Sequence, residues 1–175
     1  MIIVIDCLLI VLLGVIAFQD FKFRAISWYL LPLILFLLLY KGLCILENEV
    51  LVKNSSFNLA FVIIQFVGLT VYMSIKNKKI VNIVNSYIGL GDLLFFVVIC
   101  VAFSPFNFIL FFVVSNILTL IIFTIYKIFI SRTVEEIPLA GAQSIMFQLL
   151  IFYNMFISPV DFYSDDLFLS MHNLQ

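Results

Sequence analysis

Apolar residues occur along this chain in long runs separated by short polar segments. We identify six such runs, at residues 2–19, 27–46, 57–75, 91–104, 106–130 and 137–158. A helix needs about 20 consecutive apolar residues to cross a bilayer, and all but the fourth run approach that length. Because lipid offers no partner to unpaired backbone groups, brief loops between such runs permit only helices. We therefore predict an all-α membrane protein, one domain over residues 1–175 with six transmembrane helices.

The fourth run is short, and Ser104-Pro105 separates it so closely from the fifth that the two are predicted to form a hairpin. Before it, the segment "IVNIVNSYIGLG" carries apolar side chains at helical spacing on one face and polar ones on the other. This pattern predicts a helix lying in the membrane interface, led by basic residues at 76, 78 and 79. The alternative is an ordinary extension of the third or fourth span.

Composition strengthens the membrane assignment. The chain is 65% hydrophobic and 11% charged, with a mean hydropathy of +1.28, outside the range of soluble domains. Its three cysteines have neither pairing nor metal-ligand spacing, and His172 stands alone, so we expect neither a disulfide framework nor a zinc site. A net charge of −1 provides no basic patch for nucleic acid. The first run lacks a basic leader and a cleavage site, so we interpret it as a retained span.

The basic residues orient the chain. With the N-terminus outside, the inner loops contain seven of them and the outer loops two, Lys41 and Lys53. Cytoplasmic loops carry an excess of Lys and Arg. We therefore predict a protein of the cell membrane with both termini outside and the acidic C-terminal tail on the outer side.

Three of the ten acidic residues lie in or beside spans: Asp6, Asp20 and Asp92. Asp6 lies near the outer end of the first span, where we assign it a structural or neutral role. Asp20 closes the first span and Asp92 opens the fourth, so both fall at the inner face. Acidic side chains near hydrocarbon are costly and usually mark function or pairing. Taken singly, Asp92 is equally well explained as a helix N-cap and Asp20 as a solvated end of a span.

As a pair, these two residues offer more chemistry. Two carboxylates at one depth can share a proton and run acid and base steps on a water molecule. Asp92 opens a helix, where an anion is favoured, whereas Asp20 closes one, where it is disfavoured. We therefore expect Asp92 to be the resting base and Asp20 the resting acid.

These residues resemble the type IV prepilin peptidases and preflagellin peptidases, which are intramembrane aspartyl proteases of the Gly-x-Gly-Asp kind. Gly89-Leu90-Gly91-Asp92 matches one family motif. The segment from Asp20 to Ile26 matches a second, an Asp followed six residues later by Ile with a basic residue between. Ile137-Pro138-Leu139-Ala140-Gly141-Ala142 looks like the start of the family's last span.

The resemblance implies an endopeptidase that removes the basic leader of pilin-like precursors at the cytoplasmic membrane face, with Asp20 and Asp92 catalytic and no cofactor. Gly89 and Gly91 are expected to let the backbone bend toward a substrate strand, which is a substrate-positioning role. The chain lacks the paired Cys-x-x-Cys motifs of the larger members, so no methyltransferase activity is expected. It also departs from the family at Leu94, where members usually carry Lys, and at Ser27-Trp28, where they carry Pro-Asn.

Two other functions are compatible with the sequence. The departures from the family motifs leave open a catalytically inactive homologue that serves in a secretion or pilus machine. A small proton-coupled transporter would also use intramembrane acids, but at mid-span rather than at one face. The sequence identifies neither the precursor that is cleaved nor the oligomeric state.

Overall fold

The computed structural model describes residues 2–79, 89–129, 138–157 and 161–165, which form six helices and no strand. The helices are α1 (Ile2–Phe23), α2 (Leu30–Ile45), α3 (Asn48–Asn77), α4 (Leu90–Ile99), α5 (Pro105–Phe129) and α6 (Leu139–Phe156). Four of them, α1, α3, α5 and α6, are long and apolar enough to cross a membrane. The all-helical prediction is therefore confirmed for these residues, and the fold is that of a helical membrane protein. The predicted interfacial helix falls on residues 80–88, outside the described ranges.

Two helix boundaries differ from the apolar runs. Helix α3 begins at Asn48 rather than near residue 57, because polar residues continue the helix beyond the apolar stretch. Helix α4 ends at Ile99 rather than near residue 104. At about 1.5 Å per residue, α4 is about 15 Å long, half of a hydrocarbon core of about 30 Å. A buried turn over residues 100–104 then leads into α5.

This turn has its backbone paired inside the protein. The side-chain amide of Asn58, a fully buried residue of α3, donates to the carbonyls of Cys100 and Phe103 at 2.8 and 2.9 Å. The Ser104 N–H donates to the carbonyl of Phe162 at 2.8 Å. Backbone polar groups away from water need such partners, so the turn replaces helix without leaving these groups unpaired.

Helix α6 is the centre of the bundle. It packs most extensively against α1 and also contacts α4 and α5. On its inward side, the ring of Phe147 lies 5.2 Å from that of Phe103 and 6.0 Å from that of Phe111. Many apolar side chains of α3 and α5 remain exposed on the outside of the bundle, as expected for surfaces covered by lipid tails.

The helices run alternately up and down, so the bundle has two distinct ends. One end contains the C-terminus of α1 and the N-termini of α4 and α6. The opposite end contains the N-terminus of α1, the C-terminus of α2 and residues 161–165. There Lys41 forms a buried ion pair with Asp6 at 2.5 Å. Lys41 is therefore not a loop residue, as the charge count assumed, but part of α2, and Asp6 has the structural role that we assigned to it.

Candidate functional site

Asp20 and Asp92 are brought together by the first turn of α6. Asp20 Oδ2 accepts a hydrogen bond from the Gly141 N–H at 2.6 Å, and Asp92 Oδ1 accepts one from the Ala140 N–H at 2.8 Å. The two donors are consecutive peptide groups, and the two carboxyl groups interact electrostatically. Asp20 and Asp92, which are 72 positions apart in the sequence, thus form one side-by-side carboxylate pair.

The start of α6 is built to accept this pair. Pro138 precedes the helix, and the first amides of a helix have no intrahelical acceptor, so they bind anions well. Gly141 gives Asp20 room to approach. A Cβ atom at Gly141 would lie 2.9 Å from Asp20 Oδ2 and 3.1 Å from a ring atom of Phe21. The closeness of α1 and α6 at this end therefore depends on the absence of a side chain at residue 141.

The segment after α1 forms hydrogen bonds with the last residues of that helix, including Asp20. Arg24 adopts a left-handed conformation, φ 54°, and its N–H donates to the Asp20 carbonyl at 3.1 Å, which ends the helix. The Ser27 N–H then donates to Gln19 Oε1 at 2.9 Å. This turn points Ile26 at α4, where a Cβ on Gly91 would lie 3.2 Å from Ile26 Cδ1. The two sequence motifs therefore contact each other directly.

Asp92 is not the N-cap of α4, as its plain interpretation required. Gly89 is the N-cap, and Asp92 is the third residue of the helix. Its carboxyl group reaches back to the Gly89 N–H, while its other oxygen bonds α6. An acidic third residue that bonds the N-cap N–H is a recognised helix start. Asp92 combines this local role with the contact to Ala140, which a helix start by itself does not need.

The glycines have a different structural basis from the one expected. Gly89 has φ −65° and ψ 140°, and no described glycine has a positive φ, so other residues tolerate these backbone angles. Their small size matters instead. A Cβ at Gly89 would lie 3.1 Å from Asp92 Oδ2, and Gly91 accommodates Ile26. Both glycines thus leave room for neighbouring side chains, Gly89 for Asp92 and Gly91 for Ile26. Their role toward a substrate stays a prediction.

The two carboxyl groups differ in access to water. Asp20 is 6% exposed, whereas Asp92 is partly exposed. Their helix environments are more alike than the sequence indicated, because Asp20 ends α1 but also bonds the N-terminus of α6. The helix-dipole distinction between acid and base is thereby weakened, and exposure remains as the difference between them. Arg24 is a cation that interacts electrostatically with Asp20.

Both departures from the family motifs lie at the surface. The Trp28 side chain is 78% exposed and that of Leu94 is 37% exposed. Within the described ranges, no three His, Cys, Asp or Glu side chains come together as a metal site. Two carboxyl groups and two helix amides meet at this end of the bundle.

Sequence reasoning missed two features here. The amides of Ala140 and Gly141 are backbone groups, and the only signal for them was the small-residue start of the last run, which resembles the start of the family's last span. The buried pair of Asp6 and Lys41 was signalled by opposite charges near the outer ends of adjacent spans.

Comparison with protein-family models, with curated proteins and with solved structures finds no match to this chain.

Proposed function

We propose that this protein is an intramembrane aspartic endopeptidase that removes the basic leader of a type IV pilin-like precursor at the cytoplasmic membrane face. The observation that carries the proposal is the binding of Asp20 and Asp92 to consecutive amides of α6. A carboxylate pair of this kind is the working part of an aspartic protease. The match of the Asp20, Asp92 and Pro138 segments to the prepilin peptidase motifs supports the same assignment.

In the proposed mechanism, Asp92 is the base, because it is the more exposed of the two residues. It takes a proton from a water molecule as the water oxygen attacks the scissile carbonyl carbon. Asp20, buried beside it, gives a proton to the tetrahedral species or to the leaving amine. The backbone amides of Ala140 and Gly141 keep both groups in position throughout, which reduces the reorganisation that the reaction requires.

The proposed topology has six spans and both termini outside. Four of these spans are the long helices α1, α3, α5 and α6. The other two are α2 and α4, the latter with the buried turn that follows it. The inner loops and the adjoining helix ends hold seven basic residues, whereas the outer side holds Lys41, within α2, and Lys53, within α3, which supports this orientation. The carboxylate pair then lies at the cytoplasmic face, where a basic leader meets a membrane-embedded helix.

The test is co-expression with a pilin-like precursor encoded near this protein, with leader removal followed by the precursor's new N-terminus in mass spectrometry. Wild type is expected to cleave, and Asp20→Asn and Asp92→Asn are each expected to abolish cleavage. Glu49→Gln is the matched control, because Glu49 is an exposed acid in the first turn of α3 and should not affect cleavage.

The outcomes separate the alternatives. Cleavage that survives both substitutions would exclude the pair as the catalytic group. A wild-type protein that cleaves no precursor, although folded, would favour an inactive homologue. Proton-coupled transport in liposomes, lost on substitution of either aspartate, would instead favour the transporter.

A further inference from the structure

One side chain near the carboxylate pair has no hydrogen-bond partner at all. Gln143 is fully buried, and within the described part of the chain it is the only side chain with both a buried donor and a buried acceptor unpaired. Leaving a buried polar group unpaired costs about 1–3 kcal/mol. Such a group in a folded protein needs an explanation.

Gln143 shares a face of α6 with Ala140, one turn before it. The two residues are three apart, and residues at this spacing are neighbours on one side of a helix. The same face continues to Phe147, whose ring packs on Phe103 and Phe111. Gly141 and Gln148 mark the neighbouring face, which contacts α1 through Asp20 and the Ile10 carbonyl. Gln143 is therefore on the Asp92 side of the helix.

Its side chain is directed toward the pair by helix geometry. The Cα–Cβ bonds of a helix tilt toward the N-terminus, so a long side chain covers the turn that precedes it. For Gln143 this turn is Leu139–Ala140, whose Ala140 N–H holds Asp92 Oδ1. Helix geometry thus directs the unpaired carboxamide toward the turn that anchors the Asp92 carboxyl group.

A carboxyl group that changes protonation needs different partners in its two states. A carboxylate accepts hydrogen bonds, whereas a carboxylic acid also carries an O–H that must donate. The protein partners of Asp92 and Asp20 are backbone N–H groups, which can only donate. Once Asp92 has taken a proton from water, none of these backbone donors can accept a hydrogen bond from its new O–H. The Oε1 atom of Gln143 is an acceptor without a partner.

We propose that Gln143 is a positioning residue for Asp92, accepting a hydrogen bond at Oε1 from the Asp92 carboxyl group when that group is protonated. The proposal rests on the proposed protease function. The proton comes from the attacking water, whose oxygen forms the new bond to the carbonyl carbon. It stays on Asp92, held by Gln143, until it passes to the leaving amine, while the proton of Asp20 goes to the oxygen of the tetrahedral species. The Oε1 atom is unpaired in the ionised resting state because the O–H from which it would accept exists only during the reaction.

The matched experiment compares two glutamines of α6. Gln143→Met removes an unpaired amide at similar volume, so the melting temperature should stay the same or rise, while kcat for precursor cleavage falls about tenfold or more with little change in KM. Gln148→Met removes a hydrogen bond to the Ile10 carbonyl, so the melting temperature should fall and kcat should not change. An unchanged kcat in Gln143→Met would overturn the proposal.

A second readout does not require cleavage. In the full chain reconstituted in lipid and acidified until Asp92 is protonated, the infrared band of the Asp92 carboxylic acid is assigned by its loss in Asp92→Asn. Because hydrogen bonding lowers a carboxyl stretching frequency, Gln143→Met should move this band to higher frequency, and Gln148→Met should not. An unmoved band would overturn the role of Gln143, whether or not the wild-type protein cleaves a precursor. A wild-type protein that cleaves nothing would contradict the protease function, which is a separate outcome.

Discussion

Gly141 donates its backbone N–H to the carboxyl group of Asp20 at 2.6 Å, and the space between them leaves no room for a side chain. This contact joins the end of α1 to the start of α6. It also places Asp20 beside Asp92, whose carboxyl group binds the preceding amide. The position of the proposed catalytic acid therefore depends on the smallest residue of the last helix.

Gly141→Ala should displace Asp20 from the amide and lower precursor cleavage about a hundredfold, since small misplacements of reacting groups have effects of this size. The added Cβ would lie 2.9 Å from Asp20 Oδ2 and 3.1 Å from Asp20 Cβ. Cleavage rates at matched protein levels test this expectation, together with thermal unfolding in detergent.

Gly68→Ala is the control for that variant. Gly68 lies within α3 with nothing within 4 Å of an added Cβ. The substitution should stabilise the helix by about 0.5–1 kcal/mol and leave cleavage unchanged. Equal cleavage by the two alanine variants would contradict the dependence of Asp20 on Gly141.

Much of this end of the molecule was predictable, but its geometry was not. Long apolar runs identify helices because lipid leaves unpaired backbone groups without partners. Asp20 and Asp92 were found from their places at the ends of spans, and Ile26 from the resemblance to a family motif. The anchor of the pair did not follow, because backbone amides have no sequence signature. The end of α4 at Ile99 could not be predicted from the sequence either, because the apolar run continues to residue 104. It depends on Asn58, which binds the turn from a helix distant in sequence.

The buried ion pair at the opposite end yields a stability prediction. Lys41→Met leaves Asp6 as an uncompensated buried charge and should destabilise the protein by about 3–5 kcal/mol. The double variant Asp6→Leu, Lys41→Met removes both charges and should recover most of that loss. Unfolding of the two single variants and the double variant measures the coupling. Additive losses would show that the two charges are not coupled in the folded state.

Asn58→Leu should destabilise the protein by about 1–3 kcal/mol, because the carbonyls of Cys100 and Phe103 lose their donor inside the bundle. Thr124→Val is the control. Thr124 is exposed and donates to the Leu120 carbonyl of its own helix, so its loss should change stability by less than about 0.5 kcal/mol. Denaturant titration in detergent measures both, and equal effects would argue against a special role for the Asn58 amide.

Tyr163, in the segment after α6, gives a pH-dependent prediction. Burial raises the pKa of its phenol, and the nearby charges of Asp6 and Asp161 raise the pKa further. The folded protein therefore keeps this proton at a pH where the unfolded chain, with an ordinary tyrosine pKa of about 10, releases it. Because the folded state then binds more protons than the unfolded state, the free energy of unfolding should fall as the pH rises above about 10. Tyr163→Phe removes this contribution, so its unfolding free energy should fall less steeply over the same range. Parallel slopes for wild type and variant would show that the phenol does not contribute.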